Sequence, residues 1–268
     1  KMCVDATGDG DLAAMSGAPF VVGVADSDPS AQRGIPVGSM HSMGVMFRVG
    51  NMDMPRCLDY LGEHPDHFAV QPIGYMGLDQ VRESFENGEM AVFYVKGLAG
   101  TQTGRTGDSR LIQFYNNPSS GVFTCCCPIA QGNGLNVEDL TKAEIAIAKL
   151  VHQWIGEMRR HIPGCESIYL LDCPEIGVRE TRHFRGEYVL NLEDILKGRE
   201  FEDSIGRGSH TIDAGPVPEE LLQAPLPSRW SFSIPYRSLV PREVDNVLLA
   251  GRCISCTHEA SGCIRTSV

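Results

Sequence analysis

The sequence predicts an α/β chain in which a strand-rich segment interrupts a parallel-sheet domain built from the two chain ends. Three observations predict it. Residues 2–14, MCVDATGDGDLAA, read as strand, glycine turn and helix. Residues 247–250, VLLA, form an apolar run that stops at Gly251; a buried parallel strand ends this way where another molecule comes close, because glycine has no Cβ to obstruct the approach. Between them, residues 39–127 are rich in strand patterns. Two such strand ends, far apart in sequence, are the two sides of a crevice in an open α/β sheet.

The elements follow in order. Asp9 is the expected N-cap of a helix starting near Asp11. Residues 21–36 are a polar connection containing glycine and proline. Met43, Val45, Phe47 and Val49 alternate toward one face, which predicts a strand over residues 39–49. Short helices are expected over residues 55–63 and 78–87, with a loop at 65–77. Residues 96–108, KGLAGTQTGRTGD, carry four glycines and read as a mobile loop bordering a substrate site. Residues 110–115 and 121–127 form a hairpin around the turn sequence NNPSSG. The strongest helix begins at Asn136 or Asp139. Ala143, Ile145, Ala146, Ile147, Leu150, Val151, Trp154, Ile155 and Met158 supply its apolar face, and Arg159, Arg160 and His161 complement the negative end of its dipole. A strand over residues 167–171, a helix over 192–197, an irregular proline-rich segment over 213–226 and a strand over 230–235 lead to the final strand.

Composition narrows the function. The net charge of −11 argues against a nucleic acid or an anionic membrane as partner. No apolar run is long enough to span a bilayer. No signal peptide is visible, and the ten irregularly spaced cysteines read as reduced, mostly buried thiols in a reducing, cytoplasmic compartment. Cys125, Cys126 and Cys127 are adjacent, so they cannot all face one way on a strand. They also lack the spacing that zinc or iron–sulfur ligation needs. No metal site is expected.

Three stretches carry a resemblance: DATGDGDLAA at 5–14, PEIGVRETRHFRGEYVLNLEDI at 174–195 and NVLLAGRCISCTHEASGCIR at 246–265. Together they resemble the FAD-dependent oxidoreductase family, within the glutathione-reductase and fumarate-reductase flavoprotein class. The resemblance implies an incomplete Rossmann-like FAD-binding domain from residues 1–38 and 224–268, with a substrate domain at 39–223 between them. Such flavoproteins open with a strand and a GxGxxG turn that holds the pyrophosphate. None follows a strand here, and the family continues past the last residue into a helix beside the flavin. The expectation is therefore a fragment lacking both pieces and inactive by itself. The implied reaction is hydride transfer between a small organic substrate and flavin N5. Two alternatives stay open: an electron-transfer subunit of a heterodisulfide-reductase-like iron–sulfur complex, and a non-redox enzyme with a structural flavin.

The candidate residues follow from these motifs. Gly8 and Gly10 let the chain pass close to FAD, and Asp5 and Thr7 line the same crevice. The resemblance places Gly251 and Arg252 at the ribityl and pyrophosphate part, where a guanidinium fork suits a phosphate, and Ile264 and Arg265 further along the flavin. Arg179, Arg182, His183 and Arg185 form the densest cationic cluster of an acidic chain. Arg179, Arg182 and His183 are candidates for polarising a substrate during hydride transfer; pairing with Glu175, Glu180 and Glu187 is the structural alternative. His258, next to Glu259, is a candidate base. Cys253 and Cys256 form a CxxC that invites a disulfide-exchange reading, though the pair follows a strand rather than opening a helix.

Overall fold

Helices and strands intermix along the chain. The computed structural model describes residues 1–69, 76–95, 112–117, 121–210 and 231–265. The expected loop at 96–108, the segment at 213–226 and the parts of 65–77 and 230–235 beyond these limits lie outside the described residues. Two units emerge: Lys1–Ser42 with Asn133–Asn136 and Val178–Val268, and Met43–Gly132 with Val137–Gly177. Residues from Val178 onward thus group with the chain ends, whereas the sequence expectation kept them in the inserted segment up to residue 223.

The first unit begins with β1 (Cys3–Asp5), α1 (Asp11–Met15), β2 (Phe20–Val22) and α2 (Pro29–Gln32). The residues read from sequence as a polar connection therefore contain a short strand and a helical turn. Pro29 opens that turn and the Asp28 carboxylate accepts from Ser30 N at 2.8 Å, a local cap that the sequence reading missed.

The second unit holds β3 (Met43–Gly50), α3 (Met54–Glu63), β4 (Phe68–Ala69), α4 (Leu78–Glu86), β5 (Val92–Val95), β6 (Ile112–Asn117), β7 (Val122–Ala130), α5 (Val137–His161) and β8 (Tyr169–Asp172). Its six strands pair antiparallel in the order β4-β5-β6-β7-β3-β8. Val45, Phe47 and Val49 point into the core while Met46 and Arg48 point out, as the period of two requires. Ala143, Ile147, Val151, Trp154, Ile155 and Met158 recur every three or four residues, so they line one face of α5 and are all buried. Trp154 packs in the same apolar cluster as Phe47 and Phe123. On β7 the alternation separates the adjacent thiols: Cys125 is fully buried and Cys126 half-exposed.

The chain then returns to the first unit with β9 (Arg182–Phe184), α6 (Leu192–Leu196), β10 (Ser204–Gly208), β11 (Phe232–Pro235), β12 (Val247–Leu249) and α7 (His258–Ile264). Here β1 and β12 pair parallel, with Cys3 opposite Val247 and Asp5 opposite Leu249. Strands β2 and β9 pair antiparallel, as do β10 and β11. Ala13, Phe184, Leu190, Ile195, Phe232, Leu249, Cys253 and Cys263 form this unit's own core. No helix among the described residues is long and apolar enough to cross a membrane.

Two local expectations are corrected. Asp9 does not cap α1: the N-cap is Gly10, at φ +72°, with no side-chain cap. The first-turn N–H groups find acceptors further back, Asp11 N on Thr7 Oγ1 at 2.9 Å and Ala13 N on Asp5 Oδ2 at 2.7 Å. A helix start must satisfy these donors, and a carboxylate at the strand end also complements the positive end of the dipole. The second correction concerns residues 252–265. The resemblance sets both ends of this stretch beside the cofactor, yet it contains helix α7, whose residues are buried from end to end.

Candidate functional site

Asp5 and Thr7 organise the turn after β1. The Asp5 carboxylate is buried and accepts from Thr7 Oγ1 at 2.7 Å, Thr7 N at 3.1 Å and Ala13 N at 2.7 Å. Burial works to raise its pKa, but these hydrogen bonds outweigh burial and hold it below the ordinary carboxylate range. Asp5 is therefore saturated by its own turn. Gly8, Gly10 and Gly251 all take positive φ, at +82°, +72° and +117°. Because β1 and β12 run parallel and in register, Gly8 and Gly251 end side by side: a Cβ built on Gly251 would lie 3.9 Å from Gly8 Cα.

The middle motif ties this turn to the rest of the unit. Thr181 Oγ1 donates to Asp9 Oδ1 at 2.7 Å, and Arg252 Nη2 reaches the same oxygen at 2.5 Å. Arg182 Nη1 donates to the Asp9 carbonyl at 2.9 Å and to Asp11 Oδ1 at 2.7 Å, and its guanidinium lies over the Phe20 ring. Asp9 is thus an anchor for the motif rather than a cap. Only residues 182–184 of the motif are strand, so Arg179 and Arg185 lie outside it. Arg185 is exposed and Arg179 half-buried. The structural alternative considered for this cluster holds for Arg182, though its carboxylate partner is Asp11 rather than a nearby glutamate.

On its other side the same motif builds a buried polar cluster. Glu180, 2% exposed, lies among His183, His258 and His41, which are 4%, 4% and 8% exposed. His183 Nε2 lies 2.6 Å and His258 Nδ1 2.8 Å from Glu180 Oε1, and His41 N donates to Oε2 at 2.6 Å. Burial favours the neutral acid, yet the hydrogen bonds from His183 and His258 hold the Glu180 pKa well below the carboxylate range. An ionised carboxylate only accepts, so both imidazoles donate to it. The His41 and His258 rings stack, with centroids 4.0 Å apart and 16° between planes. His41 Nε2 lies 3.0 Å from the His258 carbonyl and 3.0 Å from Ser261 Oγ. Asp28 completes the frame by accepting from His258 N at 2.8 Å, which serves the start of α7.

His41, Glu180 and His258 offer ligand atoms within 4.8 Å of one another, the residue types of a metal centre. The ring geometry opposes that use. Lone pairs lie in the imidazole planes, and two planes stacked face to face cannot aim them at one ion about 2.1 Å from each nitrogen. Glu180 Oε1 is also engaged by two donors already.

The remaining candidates fall as follows. Glu259 is not the partner of His258. It is buried against Arg33, whose Nε donates to it at 2.8 Å. Ile264 is 6% exposed and packs in the unit's core, and Arg265, half-buried, ends α7. Cys253 and Cys256 are both buried; burial lifts the Cys253 thiol to about 11 and Cys256 well above its ordinary value. Thiols held protonated are poor nucleophiles, which removes the support for a disulfide-exchanging CxxC.

A pH dependence follows from the cluster. Burial lowers His41 from 6.5 to about 4. The neutral ring is the folded form, so its contribution is complete above pH 6.5 and is lost as pH falls toward 4. The expected loss is roughly 3 kcal/mol over that window. Below it, protonation of Glu180 removes more, with the same sign. Urea unfolding measured at pH 7, 5.5 and 4.5 should show a midpoint that falls at each step, and His41→Gln should flatten both falls.

Nothing among curated proteins or solved structures matches the chain. A family model does, along its whole length: with its paired glycine ends and buried Glu180 cluster, the chain belongs to the FAD dependent oxidoreductase family, whose model covers residues 1–268.

Proposed function

We propose that the protein acts on a small organic substrate by hydride transfer, with FAD held at the junction of β1 and β12 in a Rossmann-like domain made by the unit of the chain ends. The antiparallel unit is the proposed substrate domain. When bound, FAD supplies the hydride exchange at its N5 atom. The observation that carries the reading is the parallel pairing that brings Gly8 and Gly251 together.

Whether these residues fit FAD is tested at the same place. Among the described residues a Cβ on Gly251 would meet only Gly8 Cα, so none of them fills the space beside it. Arg252 Nε is buried with no hydrogen-bond partner among the described residues, while Nη2 is fixed by Asp9. A preset guanidinium beside an open glycine suits a cofactor phosphate. Gly251 gives the close backbone approach, with Gly8 beside it under the Arg252 guanidinium, while Gly10 packs against Phe184; Asp5 and Thr7 hold the turn, Ile264 belongs to the core, and Arg265 borders the flavin side. His258 handles the proton that accompanies the hydride, with His183 beside it. Arg182 braces the turn, and Arg182 and Arg179 are the candidates for stabilising a developing negative charge.

Anaerobic mixing with candidate reductants tests the reading. Bleaching of the flavin's visible band with stoichiometric product is expected; product formed without bleaching would overturn it in favour of a structural flavin. Arg252→Ala should weaken FAD binding by about ten- to a hundredfold, the worth of a charge-assisted hydrogen bond. A flavin fluorescence titration reads this directly. Unchanged affinity would mean that the arginine serves only as a strut to Asp9.

A further inference from the structure

We propose that Glu180 is a positioning residue that presents His258 as a base: by accepting the proton of His258 Nδ1, it leaves the ring's lone pair on Nε2, the atom that takes up a proton. The proposal rests on the redox reading only for what that proton serves.

The argument begins with charge. Glu180 is ionised and almost wholly buried, and a buried charge requires a compensating cation within reach. Three histidines surround it, and hydrogen bonding distinguishes them. His41 Nε2 faces the His258 carbonyl, which only accepts, and Ser261 Oγ, whose own proton goes to that carbonyl at 2.7 Å. His41 is therefore the Nε2–H tautomer. Burial, and then the charges of His258 and Arg265, oppose its protonation. His183 donates Nε2–H to Glu180, and its Nδ1 lies 3.6 Å from Cys256 Sγ. Burial keeps that thiol protonated, so it donates to Nδ1 and His183 stays neutral.

His258 differs from both. Its Nδ1–H is fixed on Glu180, its backbone N–H on Asp28 and its carbonyl on Ser261 and His41; none of these contacts uses Nε2. When Nε2 takes a proton, the new N–H bond forms as the donor's O–H or N–H bond breaks. The imidazolium then offsets the Glu180 charge and faces the neutral His41 ring across the stack. The other charged pair on α7, Glu259 with Arg33, is already balanced. A carboxylate behind the ring fixes the tautomer and favours the protonated state, as in histidine bases generally.

The experiment is NMR of the imidazole nitrogens in the full ¹⁵N-labelled chain across a pH titration. In the neutral state His258 should carry its proton on Nδ1, and His183 and His41 theirs on Nε2. Glu180→Gln should lower the His258 midpoint by about one pH unit or more, a tenfold loss of proton affinity, with exposed His152 unmoved. Glu180→Asp, which keeps the charge, should restore part of that shift, which a purely structural role would not. If Glu180→Gln fails to fold, the wild-type tautomers still decide. A neutral His258 protonated on Nε2, or a midpoint indifferent to Glu180→Gln, overturns the proposal. FAD titrated into the same samples reads the other question: failure to bind would overturn the proposed FAD seat at Gly8 and Gly251 and leave the tautomer result standing.

Discussion

Glu180→Ala is expected to cost about 3–5 kcal/mol of folding stability, because it removes the common acceptor of a buried network and fills nothing in its place. Three donors lose their partner together: His183 Nε2, His258 Nδ1 and His41 N. No water reaches these groups easily, since every member of the cluster is buried. The losses are not independent, because His41 and His258 also stack and share Ser261. Chemical denaturation should show a large fall in the midpoint, with the cooperativity of the first unit most affected. A loss below about 1 kcal/mol would place Glu180 in the class of exposed ion pairs and contradict the burial.

Gly10→Ala should be nearly as damaging, at about 2–5 kcal/mol, from two sources that act together. The left-handed backbone at φ +72° costs an L-residue about 1–2 kcal/mol. A Cβ there would also lie 2.7 Å from Phe184 Cζ and closer to Cε2, and Phe184 is a 2% exposed core ring that cannot swing away. Gly17 separates the two terms. It has φ +89° but nothing within 4 Å of an added Cβ, so Gly17→Ala should show the backbone cost alone. Thermal melts of both variants decide the matter: equal effects would mean that the Phe184 contact is soft. The prediction also bears on function, since Gly10 starts the helix whose turn carries Gly8.

Much of the architecture was legible from local pattern. Helix α5 follows from apolar residues three and four apart between an acidic first turn and a basic last turn. The inward Val45, Phe47 and Val49 follow from strict alternation. The glycine turn after β1 and the stop at Gly251 were legible because glycine at a strand end has few local uses. The capping of α1 was misread at Asp9 because the donors are served by Thr7 and by Asp5, eight residues before Ala13. Cap rules look only a few residues back.

What residue type and spacing carried by themselves is therefore the pairing of the chain ends' roles, with the family and the cofactor implied by the resemblance of three short stretches, since motifs and periodicity are local properties of the chain. What only the tertiary structure decided is which polar groups meet. The stretch after Gly251 is rich in polar residues, yet α7 is buried because its partners arrive from far along the chain: Asp28 stands 230 positions from His258, and Glu180 stands 78 from it. Glu259, its neighbour in sequence, was the natural guess for a partner. Adjacent residues on a helix point about 100° apart, so Glu259 turns to Arg33 and His258 to Glu180. A polar side chain is stable inside a protein only beside its hydrogen-bond partner, and that partner is fixed by how distant segments fold together rather than by the sequence around it.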